Sequence, residues 1–118
     1  MDSAAVSDAE ETERCAVELA RKLGCAVLLS SATDIATDGS EVLRIPGGSP
    51  RVTAVTGSGC MLSALCGAFL AASDDPLRAA AAASAFWKRC SEQAEARCAG
   101  SGMGSFHMAL IDAASLLR

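Results

Sequence analysis

The order of sequence signals predicts an α/β fold that turns all-helical toward its C-terminus. Three observations carry it. An amphipathic helix runs straight into a short apolar segment, a tight-turn dipeptide separates two strand-like runs, and the last part of the chain has the pattern of three consecutive helices. The chain has 118 residues, one small domain or a portion of a larger one. Its 51% apolar content includes 25 alanines but only 3% aromatics, so each buried residue removes little surface from water. Such a unit is thin by itself, and three helices in succession need a larger sheet to cover.

Each element has its own local reason. Ser7-Asp8-Ala9-Glu10 has the S-x-x-E form of a capping box, and Ala9, Thr12, Ala16, Leu19, Ala20 and Leu23 recur at helical spacing. Gly24 closes that helix. Ala26 to Leu29 is a short apolar run, as in a strand covered on both faces, so the opening predicts half of a β-α-β unit. Residues 34–37 and 41–45 flank Asp38-Gly39, a hairpin signal. Pro46-Gly47-Gly48-Ser49-Pro50 is a loop, and Arg51 to Val55 a further short extended piece. A helix is expected from about Met61 to Ser73. Asp75-Pro76 is an N-cap with an N1 proline, opening a long Ala-rich helix to about Ala99. Gly100 to Gly104 breaks it. The last helix carries Phe106, Ala109, Leu110, Ala113 and Leu117 on one face.

Several classes of function are excluded. The net charge is −4 and no basic stripe exists, so nucleic acid is not the expected partner. Residues 1–7 lack the basic and apolar regions of a signal peptide. The longest apolar stretch, Met61 to Ala72, is too short to span a bilayer, so no membrane role is expected. The six cysteines form no C-x-x-C pair and His107 is the sole histidine, so no zinc or other protein-bound metal site is expected. A cytoplasmic location with reduced, buried, small-hydrophobe cysteines follows as the expectation.

Chemistry concentrates in Gly57-Ser58-Gly59-Cys60, between an extended segment and a helix. Two glycines allow a tight turn and close approach of a ligand. The first N–H groups of the helix, with the positive end of its dipole, make an anion site. A cysteine there gains thiolate character. The pattern suits a phosphoryl group held beside a base or nucleophile, although from these four residues alone a glycine-rich turn with a small buried cysteine at the helix start is the more ordinary reading. Cys15, Cys25, Cys66, Cys90 and Cys98 are expected to be packing residues. Asp38 belongs to its turn, Asp34 to a strand end, His107 to a helix start, and Trp87 to packing.

The longer string Thr56-Gly57-Ser58-Gly59-Cys60-Met61-Leu62-Ser63-Ala64-Leu65, continuing Gly67-Ala68-Phe69-Leu70-Ala71, resembles the signature of the hydroxyethylthiazole kinase family. Val27 to Asp34 with Asp38-Gly39 is similar to the family's V-x-x-T-G-x-x-D…D-G segment. Gly102-Met103-Gly104-Ser105-Phe106 with Ala109-Leu110-Ile111-Asp112 is similar to its closing G-P-G-S-F…L-x-D helix. The resemblance implies part of a ribokinase-like three-layer α/β/α fold, with residues 1–118 as the C-terminal portion of the domain and the N-terminal half absent. It implies ATP-dependent phosphorylation of 4-methyl-5-(2-hydroxyethyl)thiazole in thiamine biosynthesis or salvage, with Mg²⁺ accompanying ATP. By the same resemblance Cys60 is catalytic, Gly57 contacts the thiazole alcohol, and Gly57, Ser58, Gly59 and Cys60 form the anion hole. Ser30 stands where the family has an ATP-contacting Thr. Ser31 replaces a family Gly and Met103 a family Pro, which bears on loop geometry. A homotrimer is implied for the full-length enzyme. Two rivals remain: another ribokinase-like kinase acting on a hydroxymethylpyrimidine or sugar, and an inactive chain that binds only nucleotide or a partner subunit.

Overall fold

In the computed structural model, residues 3–117 are described. The first helix, α1, spans Ser3–Leu23. Ser7 is therefore inside it, a turn past the start, and is not its cap. An N-cap needs non-helical backbone, and the good helix formers Ala4 and Ala5 carry the helix further back. Gly24, at φ 66°, ends it, its N–H bonding to the Ala20 carbonyl.

Three short strands follow: β1 Val27–Leu29, β2 Asp34–Thr37 and β3 Val42–Ile45. They form one antiparallel sheet in the order β1-β2-β3, with Val27 opposite Thr37 and Asp34 opposite Ile45. The hairpin forms where Asp38-Gly39 marks it. Asp38 Oδ1 accepts from the amides of Ser40 and Glu41, and these bonds hold its carboxyl below the usual carboxylate range. Among the described residues β1 pairs with β2 alone, antiparallel, and they include no parallel partner strand for a β-α-β unit. Here β1 is a half-exposed edge strand rather than one covered on both faces.

Alternation along β2 sorts the layers. Asp34 and Ala36 face α3 (Pro76–Arg97), where Ser84 bonds Asp34 and Leu77 and Ala80 pack on Ala36. Ile35 faces the other way with its cross-strand partner Arg44, whose guanidinium makes a two-bonded pair with Glu13 of α1. The result is α1, sheet and α3 in three layers. Asp75 caps α3 as expected, accepting from the amides of Leu77 and Arg78.

Residues 50–54 are a 3-10 helix, not an extended piece. Ser49 caps it by accepting from the Arg51 amide, and Pro50 presets its first turn. Next, α2 runs Ser58–Ala71, starting three residues before the expected position because Gly57 at φ 86° turns the chain directly into it. The last helix, α4, is Met103–Leu116, with Phe106, Ala109, Leu110 and Ala113 buried as the periodicity predicts. The main core lies where α2, α3 and α4 meet: Val55, Leu62, Trp87, Cys90, Ala94, Phe106 and Leu110. The radius of gyration is 15.0 Å, above the roughly 13.5 Å of a compact chain this long.

Candidate phosphoryl-transfer site

A cavity of about 480 Å³ opens between the sheet end and the α2–α3 pair, within the volume range of small-molecule sites. One wall is the loop after β1, with Ser30, Ser31 and Ala32. The opposite wall is the Gly47-Gly48-Ser49-Pro50 loop, running on to Val52 and Thr53. Leu62 and Trp87 give an apolar floor, and Ser58 and Gly59 close one end.

At the end formed by Ser58 and Gly59, the start of α2 leaves part of the expected Gly57–Cys60 anion hole without a protein partner, the Ser58 amide being taken. Gly57 is the N-cap of α2 in the left-handed region, and no side chain caps the helix. A side chain at Gly57 would have free space, but its φ of 86° would be strained. The Ser58 amide bonds the Val55 carbonyl and the Met61 amide bonds the Gly57 carbonyl. Between them the Gly59 and Cys60 amides have no protein acceptor among the described residues, so two oriented N–H donors remain for an anion. Cys60 is exposed on the third residue of the helix. Ser30 is exposed on the cavity wall, far from α2 in the chain but on the same cavity. Ser30, Ser58 and Gly59 line that cavity directly, whereas Gly57 and Cys60 flank it.

The substitutions that bear on loop geometry are accommodated. No non-glycine residue among those described takes a positive φ, so neither Ser31 nor Met103 occupies a position that demands glycine. The Ser31 amide donates to Asp34 Oδ1 at 2.9 Å and its hydroxyl to the Thr33 carbonyl.

The cysteines divide. Cys90 and Cys98 are buried and Cys66 is half-buried, but Cys15 and Cys25 are exposed, which corrects their reading as packing residues. Both lie at the α1 and β1 edge of the chain, where fewer elements cover them than at the α2–α3–α4 core. Burial pushes the Cys66 and Cys90 thiols up from their ordinary range.

Sequence reasoning missed one side of the site. Lys88, Ser91, Glu92 and Glu95 of α3 recur at helical i, i+3, i+4, i+7 spacing and all bond the 47–51 segment. Lys88 Nζ donates to the Gly47 carbonyl, Glu92 accepts from the Gly48 amide, Ser91 Oγ from the Ser49 amide, and Glu95 from the Ser49 hydroxyl. The available signal was a polar stripe on an otherwise Ala-rich helix. Trp87 packs in the core as expected, but its role as cavity floor was not legible.

Among the described residues no group of three or more His, Cys, Asp or Glu side chains is placed to hold a metal. Asp34, the carboxylate on the cavity wall, is spent on the Ser31 amide, the Ser84 hydroxyl and Lys88. Also among the described residues, no helix is long and apolar enough to cross a membrane.

Fold and site together define an α/β protein with a small-molecule cavity that ends on a glycine-cleared helix start. The hydroxyethylthiazole kinase family model matches residues 1–118. A hydroxyethylthiazole kinase of Clostridium botulinum (strain Alaska E43 / Type E3) is 45% identical over 103 residues, covering 87% of this chain and 37% of the relative. One of Methanocella arvoryzae is 43% identical over 113 residues, 95% of this chain and 41% of the relative. The solved hydroxyethylthiazole kinase structure from Pyrococcus horikoshii OT3 superposes with a TM-score of 0.87 at 31% identity, over 95% of this chain and 43% of that one. The chain belongs to the hydroxyethylthiazole kinase family. It spans less than half the length of these relatives.

Proposed function

We propose that this chain carries the nucleotide cavity and catalytic turn of an ATP-dependent hydroxyethylthiazole kinase acting in thiamine biosynthesis. The observation that carries the reading is the cavity joining Ser30 to the amide-rich start of α2, in a chain matched by the family model from end to end. The alcohol oxygen of 4-methyl-5-(2-hydroxyethyl)thiazole attacks the γ-phosphorus of ATP, the bond from that phosphorus to the bridging oxygen breaks, and ADP leaves. The alcohol proton passes to Cys60, an exposed side chain in the first turn of α2. The Gly59 and Cys60 amides face the transferring phosphoryl oxygens, so the protein's contribution is oriented charge stabilisation. Gly57 approaches the alcohol, and Ser30 donates a hydrogen bond to the nucleotide. A divalent ion, Mg²⁺ in this reading, arrives with ATP.

A second reading applies to the 118 residues taken alone. They cover 37–43% of the first relatives named, and α2 leaves most of its apolar residues exposed or half-exposed. For that polypeptide we infer nucleotide binding with little turnover, and a homotrimer when the rest of the family's length is present. The test is direct. Trp87, the sole tryptophan, should report ATP binding by a change in emission. Mass spectrometry should find thiazole phosphate only when the rest of a family member's length is supplied in trans or by fusion. Failure of ATP to bind would overturn the kinase reading. Robust turnover by a monomeric 118-residue chain would overturn the second.

A further inference from the structure

Lys88 sits on the cavity wall as a cation, where the simplest assumption is a phosphate ligand. Its surroundings say otherwise. The ammonium donates to the Ala32 carbonyl at 3.1 Å and the Gly47 carbonyl at 3.0 Å, and lies 3.5 Å from Asp34 Oδ1. An ammonium has three donors; two bond these carbonyls, and the Asp34 carboxylate stands beside it at ion-pair distance. The Lys88 and Asp34 side chains are 13% and 7% exposed, so solvent competes little for that ion pair, while the two carbonyl bonds are exposed. Asp34 is held in turn by the Ser31 amide and the Ser84 hydroxyl. Ala32 belongs to one wall of the cavity and Gly47 to the other. The next residue, Gly48, has a φ of 87°, and a Cβ there would stand 3.1 Å from Lys88 Cγ, so the loop is seated directly on the lysine stem.

From this we infer that Lys88 is a positioning residue: it ties the two loops of the nucleotide cavity to α3 and to each other, and so sets the width of the cavity without touching phosphate. The inference rests on the nucleotide reading of the cavity. It separates Lys88 from a phosphate ligand by a simple difference. A phosphate ligand discriminates ATP from adenosine, whereas a spacer between the walls affects both alike.

The experiment uses the 118-residue chain with two variants, Lys88→Met and the double variant Lys88→Met with Asp34→Asn. The double variant guards against misfolding, because the neutral amide at that position leaves no unpaired buried charge and retains hydrogen-bonding capacity for Ser31 and Ser84. Adenosine and ATP are titrated separately against Trp87 emission, and amide hydrogen exchange is followed without ligand. Both ligands should weaken by the same factor, about tenfold. The segments 31–33 and 47–49 should lose protection together, while the β2–β3 ladder stays protected. Loss of ATP affinity with adenosine unchanged would make Lys88 a phosphate ligand and overturn the inference. So would unchanged protection of both loops, or equal deprotection of the ladder, which would indicate general destabilisation. If the unsubstituted chain binds neither ligand, the nucleotide reading fails, and the exchange measurement still decides whether Lys88 joins the loops.

Discussion

Helices α2 and α3 are built by opposite rules. The α2 sequence is almost wholly apolar or small, yet only Leu62 is buried. By contrast, α3 carries three arginines, a lysine and two glutamates among its alanines, yet buries nine residues, including Leu77, Ala83, Trp87, Cys90 and Ala94. Hydrophobic content therefore does not decide burial; neighbours do. Sheet, α2 and α4 all pack against α3, which is the support of this chain. Only one side of α2 meets α3, and its special feature is its start, where Gly57 leaves amides free. Stability should reside around α3, and chemistry at the first turn of α2.

That contrast is sharpest at Cys60 and Phe106. In an enzyme restored to the family's length, Cys60→Ser should lower kcat by roughly 10²–10⁴, the range for losing a general base, with little change in melting temperature. Cys60→Asp should retain more activity than Cys60→Ser, since a carboxylate restores a base at similar reach. Near-normal turnover in Cys60→Ser would reduce Cys60 to a small residue completing the helix start.

Phe106, fully buried between α3 and α4 with the Arg51 guanidinium 4.9 Å from its ring centre, belongs to the other class. Phe106→Ala should cost about 3–5 kcal/mol in chemical denaturation. Leu70→Ala, on the exposed part of α2, should stay within about 0.5 kcal/mol in the isolated chain. Equal costs would break the distinction.

Glycines give a smaller version of the same test. Gly48→Ala puts a Cβ against Lys88 at a positive φ, and should destabilise by about 1–3 kcal/mol. Gly67→Ala, in the interior of α2 with nothing within 4 Å of the new Cβ, should stabilise the isolated chain by up to about 1 kcal/mol. Differential scanning calorimetry of the pair reads both signs.

Ser30→Ala should weaken ATP binding by roughly 1 kcal/mol, the worth of one neutral hydrogen bond, and leave folding unchanged. Unchanged affinity in a Trp87 titration would leave Ser30 a strand-end residue.

Thiol reactivity gives the smallest effect. Burial raises the thiol pKa of Cys66 and Cys90, so both remain protonated at pH values where an ordinary exposed thiol has begun to ionise. Iodoacetamide followed by peptide mapping should label Cys60 before Cys66 and Cys90, and ATP should slow only the Cys60 reaction. The sign for stability follows. Burying these thiols favours their neutral form, so that contribution is complete below the ordinary thiol range and is lost as pH rises through the raised one.

Much of the fold was legible because its signals are local. Asp75-Pro76 caps α3, Asp38-Gly39 turns the hairpin, and the 3.6-residue spacing of Phe106, Ala109, Leu110 and Ala113 names the buried side of α4. Errors arose where one local signal competed with another. Ser7-x-x-Glu10 has the form of a cap but lies within a helix already propagating. Arg51 to Val55 is extended by composition, but Ser49 and Pro50 wind it into a 3-10 helix. Gly57 ends the preceding segment and opens α2 at once, which no periodicity count places.

By itself the sequence determined the hairpin, the cap of α3 and the glycine turn that leaves amides free, because each depends on residues within a few positions of one another. It also carried the family resemblance, since the signature around Gly57 to Leu65 is continuous in the chain. Tertiary structure alone decided which apolar residues are covered, that β1 is an antiparallel edge, and that Lys88 stands between Ala32 and Gly47. Both carbonyls lie more than forty positions from the lysine in the chain. A lysine's own position in a helix does not say which carbonyls will compete with water for its three protons.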